Sequence, residues 1–166
     1  QTISVDTVSK FRSAWGDHLL PGEPGMVVTE MVEAAMDGRI KAMYITGENP
    51  LLSEPDLHHA KEAFKKLEFL VVQDIFMHET AEIADVVFPA TSFAEKDGTF
   101  TNSERRVQRV RKLVEPVGQS RPDWQILCQL SRLVSDQLGL GVESEFGFDH
   151  PSDIWDEMAQ LTPPLA

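Results

Sequence analysis

The sequence predicts an α/β fold, a Rossmann-like three-layer parallel sheet with flanking helices, extended by a hairpin and C-terminal helices. Three observations predict it. Short apolar runs alternate with amphipathic segments of helical spacing. The apolar runs stop at glycine, aspartate or proline, and one of them, Phe69-Leu70-Val71-Val72-Gln73, is nearly continuous, as in strands covered on both faces. At 166 residues, 42% hydrophobic and 25% charged, the chain can build a core without covalent staples.

The elements follow in order. Residues 1–25 read as a connector from a preceding region. A short amphipathic stretch (Val8, Phe11, Trp15) gives way to Leu19-Leu20-Pro21-Gly22-Glu23-Pro24-Gly25, whose prolines and glycines break helix and strand alike. The chain opens in mid-pattern without an initiator Met, as a piece of something longer would. Thr29 stands as a helix N-cap before Met31, Val32, Ala35 and Met36, and Gly38 closes that helix. Ala42 to Thr46 form a strand ending at Gly47-Glu48-Asn49-Pro50. Ser53 and Asp56 resemble a capping box for a helix over 54–66 with Leu57, Ala60, Phe64 and Leu67 on its apolar face. The Phe69 strand ends at Asp74, a short helix follows over 79–84, and Asp85-Val86-Val87-Phe88 is a third strand terminated by Pro89.

Strand, helix, strand, helix, strand implies parallel pairing with ligands gathered at the carboxyl ends. Those ends are Thr46 to Pro50, Gln73 to Met77 and Pro89 to Ser92. Beyond them, Asp97-Gly98 marks a turn between extended segments, and Pro122 to Leu138 has helical spacing ended by Gly139. A loop rich in Gly, Glu and Phe precedes a last helix over 152–161, with Ile154, Trp155, Met158 and Leu161 on its apolar side. The domain division is thus 1–25, 26–138, and 139–166 packed on the middle part.

Composition excludes several classes. The net charge of −12 and pI near 4.7 repel phosphate backbones, which argues against nucleic acid and anionic membranes as partners. No apolar run approaches the roughly 20 residues of a membrane helix, and the N-terminus has no export signal. The single cysteine, Cys128, excludes an internal disulfide or an all-thiolate metal site and suits a reducing, cytoplasmic setting. It falls on an apolar helix face and reads as a buried, inert thiol. Of the histidines at 18, 58, 59, 78 and 150, His58 and His59 are neighbours splayed on a helix surface, poor geometry for one metal. No residue set reads as catalytic or metal-binding.

The carboxyl-end loops collect Gly47, Glu48, Asn49, Gln73, Asp74, Thr80 and Asp85. A guanine offers two adjacent N–H donors that one aspartate can accept, and a strand-end glycine lets backbone N–H groups approach a pyrophosphate. Nucleotide binding is one reading of that set; ordinary turn and cap residues are the other. Residues 95–109 gather Arg105, Arg106, Gln108 and Arg109 against the acidic background, either as a solvated hairpin face or as a docking site for a phosphate or another domain.

Four motifs in order carry a resemblance over about residues 8–165: Tyr44-Ile45-Thr46-Gly47-Glu48-Asn49-Pro50, Val71-Val72-Gln73-Asp74-Ile75-Phe76, Thr80-Ala81-Glu82-Ile83-Ala84-Asp85-Val86-Val87-Phe88-Pro89-Ala90, and Asp97-Gly98-Thr99-Phe100-Thr101-Asn102-Ser103-Glu104-Arg105-Arg106-Val107-Gln108. Arg121-Pro122-Asp123-Trp124 and Ile154-Trp155-Asp156-Glu157 extend it. The sequence resembles the alpha subunit of molybdenum- or tungsten-dependent formate dehydrogenases, molybdopterin oxidoreductases related to dimethyl sulfoxide reductase. The resemblance implies an internal fragment, part of the third domain, whose residues 26–138 hold one guanosine end of a bis(molybdopterin guanine dinucleotide) cofactor. Position by position it puts Gly47, Glu48, Asn49 and Pro50 in the first cofactor loop, Gln73 and Asp74 in the second, and Thr80 with Asp85 in the third. Asn102, Arg105 and Gln108 are implied to contact cofactor or a neighbouring domain.

The same resemblance implies that the longer enzyme oxidises formate to carbon dioxide, carries a 4Fe–4S cluster, and works with electron-transfer subunits. The cluster cysteines and the metal ligand have no counterpart in these residues, so the fragment alone is expected to be inactive. Two rivals stand beside this reading. A small receiver-like or interaction domain would need a Lys at a later strand end, where Phe88-Pro89-Ala90 stands instead. A sibling such as a nitrate reductase is the second, and active-site residues with no counterpart in this sequence would settle that choice.

Overall fold

The computed structural model describes residues 5–16, 20–139 and 147–162. They fall into two compact units, one from residues 26–97 and 110–126, the other from the described residues among 1–25, 98–109 and 127–166.

The first unit carries helix α2 (Val28–Met36), strand β1 (Ala42–Thr46), helices α3 (Pro50–Ser53) and α4 (Leu57–Phe64), strand β2 (Phe69–Asp74), helix α5 (Glu79–Glu82) and strand β3 (Val86–Pro89). The strands form one parallel sheet in the order β1-β2-β3. Register fixes which ends meet: Thr46 lies opposite Gln73, and Gln73 opposite Phe88. All three strands therefore end along one carboxyl edge.

The core lies on one face of this sheet. Val32 and Ala35 of α2, Leu51 of α3, and Ala60, Ala63 and Phe64 of α4 are buried with Met43 and Ile45 of β1 packed against them. Leu70 and Val72 of β2 join Ala81 of α5 in the same layer. The central strand is buried on both faces, since Val71 and Gln73 are 8% and 0% exposed. Edge strand β1 is covered on one face only, and Ala42, Tyr44 and Thr46 are exposed.

The helix boundaries differ from the sequence reading for local reasons. The helix expected over 54–66 is shorter, α4 alone, and Ser53, expected to cap it, is the last residue of a separate helical turn, α3, that the strand-end loop Gly47–Pro50 runs into. Glu54 precedes Pro55 and is held extended (φ −70°, ψ 141°), which stops α3. Asp56 then caps α4, accepting the His59 N–H at 3.0 Å. Helix α2 begins one residue before Thr29, and Glu30 reaches back to accept the Val27 N–H at 3.2 Å. Helix α5 begins after His78, whose Nδ1 accepts the Ala81 N–H at 3.2 Å.

The second unit contains helix α1 (Val5–Trp15), strands β4 (Gly98–Thr101) and β5 (Val107–Val110) paired as a two-stranded sheet, most of α6 (Asp123–Leu138), and α7 (Pro151–Leu161). The stretch around Val8, Phe11 and Trp15 is thus a helix, with the Phe11 and Trp15 rings 4.7 Å apart. It meets α7: the Lys10 ammonium donates to the Leu161 carbonyl, and Trp15 Nε1 donates to Glu157 at 2.7 Å. Cys128 is buried as expected. His18 and most of the loop after Gly139 lie outside the described residues. Among those described, no helix is long and apolar enough to cross a membrane.

Candidate functional site

The carboxyl edge of the sheet is where the first unit concentrates its polar side chains. Gly47 leaves β1 with φ +67°, a conformation that L side chains adopt at a cost, and its N–H donates to the Gln73 carbonyl at 2.9 Å. That bond carries the β1–β2 ladder one residue past the strand. Glu48 is exposed on the same turn. Asn49 follows, with Pro50 opening α3. The Thr80 hydroxyl, wholly buried, donates to Asn49 Oδ1 at 2.7 Å and accepts the Leu51 N–H at 3.1 Å. Asn49 Nδ2 donates in turn to Glu79 at 2.7 Å. Residues 49, 51, 79 and 80 thereby lock the first rim loop to the start of α5, just past the second.

Gln73 is also wholly buried. Its Oε1 accepts from the Tyr44 hydroxyl, and its Nε2 donates to Asp123 Oδ1 at 2.8 Å. The remaining carboxylate oxygen of Asp123 accepts from the Lys96 ammonium. Tyr44, Gln73, Asp123 and Lys96 form one chain of hydrogen bonds across the rim. Burial works to raise the Asp123 pKa, but the bonds from Lys96 and Gln73 outweigh it and hold the carboxyl below the ordinary aspartate value. Tyr44 moves the other way, raised by burial and by the Asp123 charge. Its ring stacks on Phe88 at 6.3 Å.

Asp74 shapes the second loop. Its Oδ1 accepts the Phe76 N–H at 3.0 Å, and its Oδ2 lies 3.4 Å from His78 Nε2. That imidazole nitrogen and the Thr91 hydroxyl are buried without a hydrogen-bond partner among the described residues. Thr91 is one residue beyond Ala90, which bridges to Arg121, while the Arg121 N–H donates to the Pro89 carbonyl at 3.1 Å. This bridge delivers the start of α6, and with it Asp123, to the same rim.

One expected rim residue is elsewhere. Asp85 precedes β3, so it lies at the amino edge of the sheet, opposite the strand ends. Its Oδ2 accepts the Leu70 N–H at 2.7 Å, and its own N–H donates to the Leu70 carbonyl at 2.9 Å. The physical reason is direction: in a parallel sheet a residue just before a strand lies at the opposite edge from one just after it. Asp85 joins β3 to the start of β2 rather than facing the rim.

Asn102, Arg105 and Gln108 belong to the second unit. Asn102 Oδ1 accepts the N–H groups of Glu104 and Arg106 at 3.0 and 2.9 Å, and its N–H donates to the Arg106 carbonyl at 3.0 Å. Arg105 sits at the tip with φ +64°, and Arg105 and Gln108 are exposed. Asp123 and Lys96 went unremarked as site residues in the sequence reading. Asp123 looks there like an ordinary acidic first-turn residue, and the bond that identifies it spans 50 positions.

The family model of molybdopterin oxidoreductases matches residues 13–133. A Bacillus subtilis protein named Probable oxidoreductase YjgC is 47% identical over 154 residues, 93% of this chain and 15% of its own length. A formate dehydrogenase subunit alpha of Methanocaldococcus jannaschii is 46% identical over 158 residues, 95% of this chain and 22% of its own. This chain therefore spans about a fifth or less of those relatives. Acetylene hydratase from Pelobacter acetylenicus shares the fold over 81% of this chain and 18% of its own, with a TM-score of 0.65 at 21% identity.

Proposed function

The chain belongs to the molybdopterin oxidoreductase family, and from that premise we propose that its carboxyl rim holds the guanosine end of a molybdopterin guanine dinucleotide within a formate dehydrogenase alpha subunit. One observation carries the reading. The rim presents a carboxylate, Asp123, with a third of its side chain exposed and its orientation fixed by buried Gln73. A carboxylate so placed accepts two parallel N–H donors, and guanine has such a pair in N1–H and its exocyclic amine. Among the aspartates, Asp123 takes this part because the Asp85 carboxylate is spent on the Leu70 N–H at the opposite edge.

The other rim groups support the same ligand. The left-handed turn at Gly47 leaves open space where a Cβ would stand, room for a close-lying sugar or phosphate. Asn49, Pro50 and Thr80 act by bracing the loops, as does Asp74, and Glu48 is the exposed polar group of the first turn. Asn102, Arg105 and Gln108 are assigned to a cofactor or interdomain contact, their basic turn suiting a phosphate.

The longer subunit would oxidise formate to carbon dioxide. The bis(molybdopterin guanine dinucleotide) cofactor with Mo or W supplies the redox centre there, with a 4Fe–4S cluster and electron-transfer subunits beyond it, in the cytoplasm. This chain's residues contribute binding and orientation, with no catalytic group, so alone it turns over no formate. Titration of the chain with GDP and IDP, followed calorimetrically, tests the reading. IDP lacks the exocyclic amine, and GDP should bind about tenfold more tightly. Equal affinities, or an Asp123→Asn variant indistinguishable from the parent, would refute it.

A further inference from the structure

The carboxylate that the proposed function assigns to the ligand already has both oxygens in use. Gln73 Nε2 donates to Oδ1, and the amide cannot turn away because the Tyr44 hydroxyl holds its Oε1. Gln73 is wholly buried, so that half of the arrangement is fixed. The other half is different in kind. Lys96 reaches Oδ2 from the residue after the single helical turn Phe93–Glu95, and its side chain is 24% exposed against 33% for Asp123. That turn is itself pinned, since the Glu95 carboxylate accepts the N–H groups of Ser92 and Val117, both at 2.8 Å. The base of Lys96 is therefore held while its long stem remains free to swing on four carbons.

We propose that Lys96 is a built-in competitor for the rim: its ammonium occupies the Asp123 oxygen that a paired N–H donor edge of a purine needs, so ligand entry requires the Lys96–Asp123 pair to open. The proposal rests on the guanosine reading and adds a specificity device to it. A ligand offering one weak donor loses the exchange, because it surrenders a charge-assisted bond for a neutral one. A ligand offering two parallel donors can match what it displaces. Lys96 thus filters for a two-donor edge, and until such a ligand arrives it keeps the half-buried carboxylate from standing uncompensated.

Two measurements test this on the chain, with GDP as probe. Lys96→Met removes the competitor but leaves the Gln73–Asp123 bond, and GDP should bind about fivefold more tightly than to the parent, the scale of a partly screened ion pair. Unchanged or weaker binding overturns the proposal. In the second, lysines are labelled as 13C-dimethyl derivatives, and the Lys96 signal is located by its loss in Lys96→Arg. Saturating GDP should move it to the position it takes in Asp123→Asn, where the pair cannot form as an ion pair; a signal that stays put overturns the proposal even if Lys96→Met does not fold. The two levels separate cleanly. If Asp123→Asn abolishes GDP binding while Lys96→Met equals the parent, the competitor fails and the guanosine reading stands. If parent, Asp123→Asn and Lys96→Met all ignore GDP, the guanosine reading fails and the competitor with it.

Discussion

Two aspartates that look alike in the sequence do opposite work, and substitution separates them. Asp85 accepts a backbone N–H at the amino edge, so Asp85→Ala leaves the Leu70 N–H without its partner. The expected cost is about 1–3 kcal/mol in urea unfolding, with GDP affinity unchanged. A loss of affinity without a loss of stability would return Asp85 to the site. Asp123 is the reverse case and carries a pH signature. Its folded pKa lies below the ordinary aspartate value, so its stabilising contribution is fully present above that value and disappears as pH falls through the folded one. The stability difference between parent and Asp123→Asn should therefore be constant from pH 7 to about 5 and shrink below 4. The other depressed carboxylates titrate in both proteins and cancel. A difference that stays flat to pH 2.5 would mean that the Lys96 and Gln73 bonds do not favour the charged form.

At the scale of elements, the strands were legible and their consequences only partly so. The runs at 42–46, 69–74 and 86–89 announce themselves by composition, and parallel pairing follows from the helices between them. Register does not follow from any local pattern. The opposition of Thr46, Gln73 and Phe88, and the Ala90–Arg121 bridge that brings α6 to the rim, are pairings between distant segments. Capping read by residue type picks Ser53 with Asp56 as its partner, whereas Asp56 is itself the cap, and it passes over His78, an acceptor only through one ring nitrogen. The turn after β1 is the element on which the rim depends most directly, and Gly47→Ala tests it. No atom lies within 4 Å of the added Cβ, so the change meets no steric obstacle and only the left-handed backbone resists it. The expected loss is about 1 kcal/mol, a fall in Tm of about 2–4 °C. A much larger loss would show that the turn is packed more tightly than its surroundings indicate.

At the scale of the whole molecule, the exposed apolar side chains are the informative feature. Parallel sheets are ordinarily covered on both faces, yet β1 shows Ala42, Tyr44 and Thr46 on its outer face, and Phe69 of β2 is 46% exposed. At the rim, Phe76 and Met77 are 71% and 64% exposed, and on α3 Leu52 is 68% exposed. Runs of this kind are uncommon on proteins that meet only water, and they mark surfaces made for contact. Because the relatives are several times longer than this chain, polypeptide that could cover these positions exists in them. The chain by itself should therefore bind the dye ANS and associate weakly as concentration rises, with ANS fluorescence falling in Phe76→Ser and Met77→Ser. The full-length subunit should bind little dye, and amide exchange around residues 75–77 should be slower there than in the isolated chain. Equal exchange in both contexts would mean that the apolar loop faces water in the intact protein too, and the cover would have to be sought in a separate partner.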